Sequence, residues 1–149
     1  MVKLATIDCL ISLSLVAMLP GYTKPDIVDD PCLDIVGGRH PIVETVSERP
    51  FIPNDVRFAE DGLRALVLTG CNMSGKSSYS RMVALLVVMA QIGCYLPCQS
   101  GKIGIVDYVG TRFGASDEIT RGRSVSGRAL YRAQSIGLLI WSVIADLHG

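Results

Sequence analysis

The sequence predicts an α/β fold in which a strand, a glycine-rich loop, a helix and a further strand follow one another within one domain. Three observations carry this. Ala65-Leu-Val-Leu68 is a short, continuous apolar run bounded by Gly62 and Gly70, the pattern of a parallel strand covered on both faces. The octet Gly70-Cys-Asn-Met-Ser-Gly-Lys-Ser77 follows it directly, with Lys-Ser at its end. From Lys76 to about Ile92 apolar residues then surround almost the whole helical circumference, so this helix is expected to be buried in a larger body.

Composition narrows the class. A chain of 149 residues is one domain's worth, and 49% hydrophobic residues against 19% charged, with mean hydropathy +0.39, argues against disorder. Fourteen basic and fourteen acidic residues cancel. Residues 1–75 carry six Lys/Arg and ten Asp/Glu, residues 76–149 eight and four, so the halves stand at −4 and +4. That excludes a basic arm binding nucleic acid by charge alone and leaves a C-terminal half suited to an anion such as phosphate. The five cysteines are odd in number, form no CxxC pair and have only His40 and His148 as co-ligands, which fits a reducing compartment and neither a zinc site nor a disulfide framework.

At the N-terminus, Met1-Val-Lys3 and the uncharged run Cys9 to Thr23 have the outline of a secretory signal. Asp8 interrupts that outline, and Leu4, Ile7, Ile11, Leu15 and Met18 recur at three- and four-residue spacing, as on the buried face of an ordinary helix ended by Pro20-Gly21. Lys24-Pro-Asp-Ile-Val-Asp-Asp-Pro31 has turn chemistry and is expected to be a surface connection. A strand over Cys32–Val36, a tight turn at Gly37-Gly38 and a second extended piece at Ile42-Val43 with Val46 predict antiparallel edge strands. After the long helix, Gly93 is the expected C-cap and Ile103-Gly-Ile-Val106 a further buried strand. The longest uncharged stretch, Met82–Gly101, is broken by Gln91, Gly93, Pro97 and Gln99, so no membrane span is expected.

Gly70-Cys-Asn-Met-Ser-Gly-Lys-Ser77 is a complete GxxxxGK[ST] phosphate loop in the required context, after a strand and opening a helix. Glycine at 70 and 75 permits backbone angles and close approach that a Cβ blocks, so the N–H groups of Cys71, Asn72, Met73 and Ser74 can converge on phosphate oxygens. The helix N-terminus adds its positive dipole end. Lys76 would sit on the β- and γ-phosphates, the Ser77 hydroxyl would be a hard oxygen ligand for Mg²⁺, and Ser78 can cap the helix or reach the α-phosphate. The fold class is therefore that of a P-loop NTPase.

Further segments resemble one family. The octet with Ser78-Tyr79, Met89-Ala-Gln-Ile-Gly-Cys-Tyr-Leu-Pro97, Thr111-Arg-Phe-Gly-Ala-Ser-Asp117 and Arg121-Gly-Arg-Ser124 resemble the C-terminal ATPase domain of the MutS mismatch-repair proteins. Asp8-Cys-Leu-Ile-Ser-Leu13 with Gly21-Tyr22, Gly38-Arg-His-Pro-Ile-Val-Glu44 and Phe51-Ile-Pro-Asn-Asp55 agree in the same order, so the likeness runs from about residue 3 to 124. Lys76-Ser-Ser-Tyr79 and Ile103-Gly-Ile-Val-Asp107 lean toward the eukaryotic homologue specialised for insertion/deletion loops.

The resemblance implies an ABC-type ATPase domain, incomplete over 21–149, preceded at 1–20 by the end of a long lever helix. It implies ATP and Mg²⁺ as cofactors, a second MutS-type subunit in a heterodimer, mismatched double-stranded DNA bound through the full-length protein, and the nucleus. By resemblance the adenine stacks on Phe51, whose other reading is an ordinary core ring between Pro50 and Pro53. Ser124 matches the serine that reaches the partner subunit's γ-phosphate, with a plain polar loop as the other reading.

The sequence also departs from the family. Cys71 stands where the family has Pro, adding an oxidisable thiol, and Ser74 stands where it has Gly. Beyond Ser124 the acidic amphipathic helix is not recognisable. The Asp-Glu that should end the next strand is represented only by Asp146, a candidate metal contact, with Leu147 in place of the catalytic Glu. Losing a positioned general base costs about 10²–10⁴-fold in rate, so ATP binding with poor hydrolysis is expected, and no catalytic residue is assigned. The rival expectation is a non-catalytic, truncated remnant acting at most as an interaction module. A small kinase or GTPase would need a base-specificity motif or lid that residues 79–149 do not supply.

Overall fold

The computed structural model of the chain describes residues 2–59, 66–69, 71, 74–112 and 137–141. Helix α1 covers Val2–Ala17 and stops ahead of Pro20-Gly21, as the sequence predicts. Its burial differs from the expectation: Leu4, Ile7, Ile11, Leu15 and Met18 are all exposed. The spacing is that of a helix, but no described residue covers the apolar stripe.

The segment after α1 is tied to the body through an antiparallel bridge, with Thr23 N–H donating to the Leu96 carbonyl at 2.8 Å and Leu96 N–H returning to Thr23 at 2.9 Å. Within the expected surface connection 24–31 lies a short strand, β1 (Asp26–Val28). It is held there by parallel pairing with Lys102–Gly104 rather than by its own propensity.

Strand β2 (Cys32–Gly38) runs two residues past the predicted end. Gly37-Gly38 is accordingly no chain reversal. The register shifts between Ile35 and Gly38, and Gly37 sits at φ +63 with its N–H donating to Asp55 Oδ1 at 2.8 Å. That is a β-bulge, and a left-handed backbone at its extra residue is where glycine fits without strain.

The expected extended piece at 42–46 is instead helix α2 (Pro41–Val46). His40 explains the difference. Its Nδ1 accepts from the N–H groups of both Ile42 and Val43 at 3.3 Å, and Pro41 at the first helical position has φ preset for the turn. Two capped amides override the β propensity of Ile42 and Val43. The antiparallel partner of β2 is β3 (Asn54–Ala59).

Leu66–Leu68, the described part of the run 65–68 predicted as a parallel strand covered on both faces, forms no strand, and Leu66 and Val67 are exposed. A strand apolar on both faces needs neighbours on both edges. None among the described residues pairs with it.

Helix α3 (Lys76–Gln91) matches prediction in both bounds. It closes through a Schellman arrangement around Gly93: Cys94 N–H reaches the Met89 carbonyl at 2.9 Å and Gly93 N–H the Ala90 carbonyl at 3.0 Å. The helix is buried on one side rather than all round. Met82, Val83, Leu86, Val87 and Ala90 are covered, while Val88 and Ile92 are exposed. Met82 is therefore core as expected, Met89 packs at the edge of the core, and Val88 is not core.

Strand β4 (Ser100–Gly104) begins three residues before the predicted start. It sits between β1 and β2 in a sheet of order β1-β4-β2-β3, parallel to β1 and antiparallel to β2. Strands β5 (Tyr108–Arg112) and β6 (Gly137–Trp141) form a separate parallel pair. The core lies where Leu33, Ile35, Val56 and Ile103 of the four-stranded sheet meet the buried side of α3. The described fold is mixed α/β with a small sheet, part of the predicted layout.

Candidate functional site

The glycine-rich loop enters α3 through Gly75, which has φ +93 and ψ 6 and provides no side-chain cap. An ideal Cβ at Gly75 would meet nothing within 4 Å, so the glycine is demanded by its left-handed backbone and not by crowding. Tyr79 N–H donates to the Gly75 carbonyl at 2.8 Å, the first bond of the helix. Amides of a helix's first turn point out of its N-terminal end, and this first turn contains no acidic residue to compete for an anion there.

Ahead of the helix the loop closes on one carbonyl. Lys76 Nζ donates to Cys71 O at 2.7 Å, and Ser74 N–H approaches the same oxygen at 3.3 Å. The ammonium thus lies over the loop, bonded to a neutral acceptor that an anionic oxygen would outbid, because the anion adds the attraction between opposite full charges. Cys71, Ser74 and Gly75 are exposed, and Lys76, Ser77 and Ser78 are half-buried. Gly70, Asn72, Met73, Ser124 and Asp146 lie outside the described residues.

The site end of α3 is anchored to the sheet by Tyr79, whose hydroxyl donates to the Asp55 carbonyl at 3.2 Å. Burial, then the Asp55 charge, raises the Tyr79 phenol above its ordinary value, so it stays a donor at neutral pH. Asp55 also receives Gly37 N–H, so β3 links the bulge of β2 to the first turn of α3. One turn beyond Lys76, Ser80 is buried and donates back to the Lys76 carbonyl at 3.2 Å.

Phe51 is half-buried between α2 and β3, packs against the core, and lies with its ring centroid 6.4 Å from that of His40 at an interplanar angle of 56°. His40 is buried, and burial first, with Arg81 adding to it, holds its pKa below the ordinary value. Next to it, Arg39 Nε meets Glu44 Oε2 at 2.6 Å and Arg39 Nη2 donates to the Gly21 carbonyl at 2.9 Å. Arg39 N–H reaches the Pro97 carbonyl at 2.8 Å.

Sequence reasoning gives Arg39 and His40 no chemical role, and their roles here are to tie the chain around Gly21, α2 and Pro97 together. A legible signal existed in His-Pro ahead of a short apolar run, with Pro at the first helical position. Histidine is an uncommon cap, which hid it.

The MutS domain V family model matches residues 66–136, which include the octet, α3, β4 and β5. Over 122 residues the chain is 50% identical to the DNA mismatch repair protein msh3 of Aspergillus terreus and 52% identical to the DNA mismatch repair protein MSH3 of Phaeosphaeria nodorum, covering 82% of this chain. The chain belongs to the MutS family. It is also 48% identical over 122 residues to the msh3 of Emericella nidulans. In each case it spans 11% of the relative's length. A match of 122 residues in a chain of 149 extends the MutS likeness outside 66–136, to the segments around Arg39 and Phe51. No described helix is long and apolar enough to cross a membrane.

Proposed function

We propose that this MutS-family chain is the ATP-binding portion of a DNA mismatch repair protein. The observation that carries the reading is the junction of loop and helix: Gly75 in the left-handed region, Lys76 opening α3 with its ammonium on the Cys71 carbonyl, and no acidic side chain in the first turn. That geometry suits a polyphosphate, with Lys76 exchanging a carbonyl for phosphate oxygens. The Ser77 hydroxyl is the hard oxygen for Mg²⁺, which takes few protein ligands and completes its shell with water and phosphate. When bound, the cation would neutralise phosphate charge.

In this reading Phe51 is the adenine platform. Gly70, Cys71, Asn72, Met73, Ser74 and Ser78 complete the phosphate cradle, and Ser124 makes the contact across a heterodimer with a second MutS-type subunit. Asp146 is the candidate for the second contact to Mg²⁺. With Leu147 where the family has Glu, turnover is poor. Mismatched DNA is engaged by the full-length protein, in the nucleus.

Support for a second reading comes from Leu66 and Val67, exposed and unpaired in a run built for a central strand. It is that of a non-catalytic remnant acting at most as an interaction module. Equilibrium binding of a fluorescent ATP analogue with Mg²⁺, compared with Lys76→Ala, separates them. Saturable binding lost in the variant supports the ATP site, and no binding by either protein supports the remnant.

A further inference from the structure

His40 makes two kinds of contact that no phosphate chemistry explains. Its Nδ1 accepts from Ile42 N–H and Val43 N–H, so the imidazole is neutral with its proton on Nε2, and two bonds fix the ring's rotation. The same ring, buried, stands 6.4 Å from Phe51 and tilted by 56°, within the range where aromatic rings attract. Phe51 is otherwise bounded by the core beneath it and by Pro50 and Pro53 on either side in sequence. A half-buried ring in a connecting segment is held only as well as its neighbours hold it, and His40 is the neighbour whose own orientation is locked by backbone.

We propose that His40 is a positioning residue for nucleotide binding: its capped imidazole holds the Phe51 ring at the angle at which the ring receives the base. This rests on the reading of Phe51 as the adenine platform. The cap of α2 and the base site are then one device, since the bonds that start the helix also aim the ring. An aromatic contact of this kind amounts to about 2- to 12-fold in an equilibrium constant, and stacking of a base on an aromatic side chain to about 5- to 150-fold.

The test uses the whole chain and two competitors of a fluorescent ATP analogue, each with Mg²⁺: ATP, which has the base, and inorganic tripolyphosphate, which lacks it. His40→Asn keeps a side-chain acceptor for the α2 amides and removes the ring. It should weaken ATP by about 2- to 12-fold, leave tripolyphosphate unchanged, and have no further effect on ATP in a Phe51→Ala background. Equal weakening of both competitors, no change in either, or an undiminished effect in the Phe51→Ala background overturns the proposal.

A readout without any variant guards against a His40→Asn protein that fails to fold. Saturating ATP should shift the His40 ring-proton resonances of the wild-type chain while tripolyphosphate does not; unmoved resonances at ATP saturation overturn the proposal. Wild-type binding of ATP no tighter than tripolyphosphate contradicts the platform reading of Phe51 itself, and the role of His40 with it. An ATP preference over tripolyphosphate that is undiminished in His40→Asn contradicts only the role of His40.

Discussion

The two sides of the glycine-rich loop differ sharply. On its C-terminal side α3 forms where the sequence puts it and buries Met82, Val83, Leu86 and Val87 against the sheet. On its N-terminal side Leu66–Leu68, equally apolar in sequence, makes no strand and leaves Val67 78% exposed. A helix satisfies its backbone from within and needs one covered side, whereas a central strand needs partners on both edges. The loop is therefore shaped from the helix side, through Gly75 and Lys76.

The largest effect that would sharpen this contrast is Leu86→Ala. Leu86 is fully buried between α3 and the bulge of β2, and the truncation should cost about 2–5 kcal/mol in urea unfolding. Next comes Gly75→Ala, which forces a Cβ into a left-handed backbone at about 1–2 kcal/mol and should shift the thermal midpoint downward. His40→Ala removes the cap of α2 and should cost about 1 kcal/mol in the same unfolding experiment. Smallest is Val67→Ala, at most about 0.5 kcal/mol, because an exposed side chain has little packing to lose. A large loss at Val67 would break the comparison by revealing a packed strand there.

His40 also gives the contrast a pH dependence. Burial holds its folded pKa below the ordinary value, so in the window between the two the unfolded chain binds more protons. The stability it contributes is complete above about pH 6.5 and declines as pH falls through the lower folded value. Urea midpoints of the wild type and His40→Asn, followed downward from pH 7.5, should differ in slope within that window. Parallel curves would show that the imidazole is not the group protonated on unfolding.

What the sequence made legible was local. The start and end of α3 and the Gly93 closure depend on residues a few positions apart, and these are found as expected among the described residues. The misread elements depend on distant partners or on an unusual cap. Strand β1 exists through its pairing with β4, Gly37-Gly38 became a bulge because Asp55 supplies an acceptor 18 residues away, and α2 forms because His40 caps it. The exposed stripe of α1 shows the reverse case, correct periodicity with no covering surface. Within the candidate site, Lys76 and Gly75 were legible from spacing, whereas the pairing of His40 with Phe51 is a contact across 11 positions that no local pattern encodes.

The central claim is that the loop opening α3 is a working polyphosphate site. Binding of the fluorescent ATP analogue with Mg²⁺ by the chain and by Lys76→Ala, at one salt concentration and with matched thermal midpoints, tests it most directly. The account predicts saturable binding that weakens by about 10- to 100-fold in the variant, the loss of a charge-assisted hydrogen bond to phosphate. Equal affinity in both proteins, or no binding by the folded wild-type chain, would contradict it.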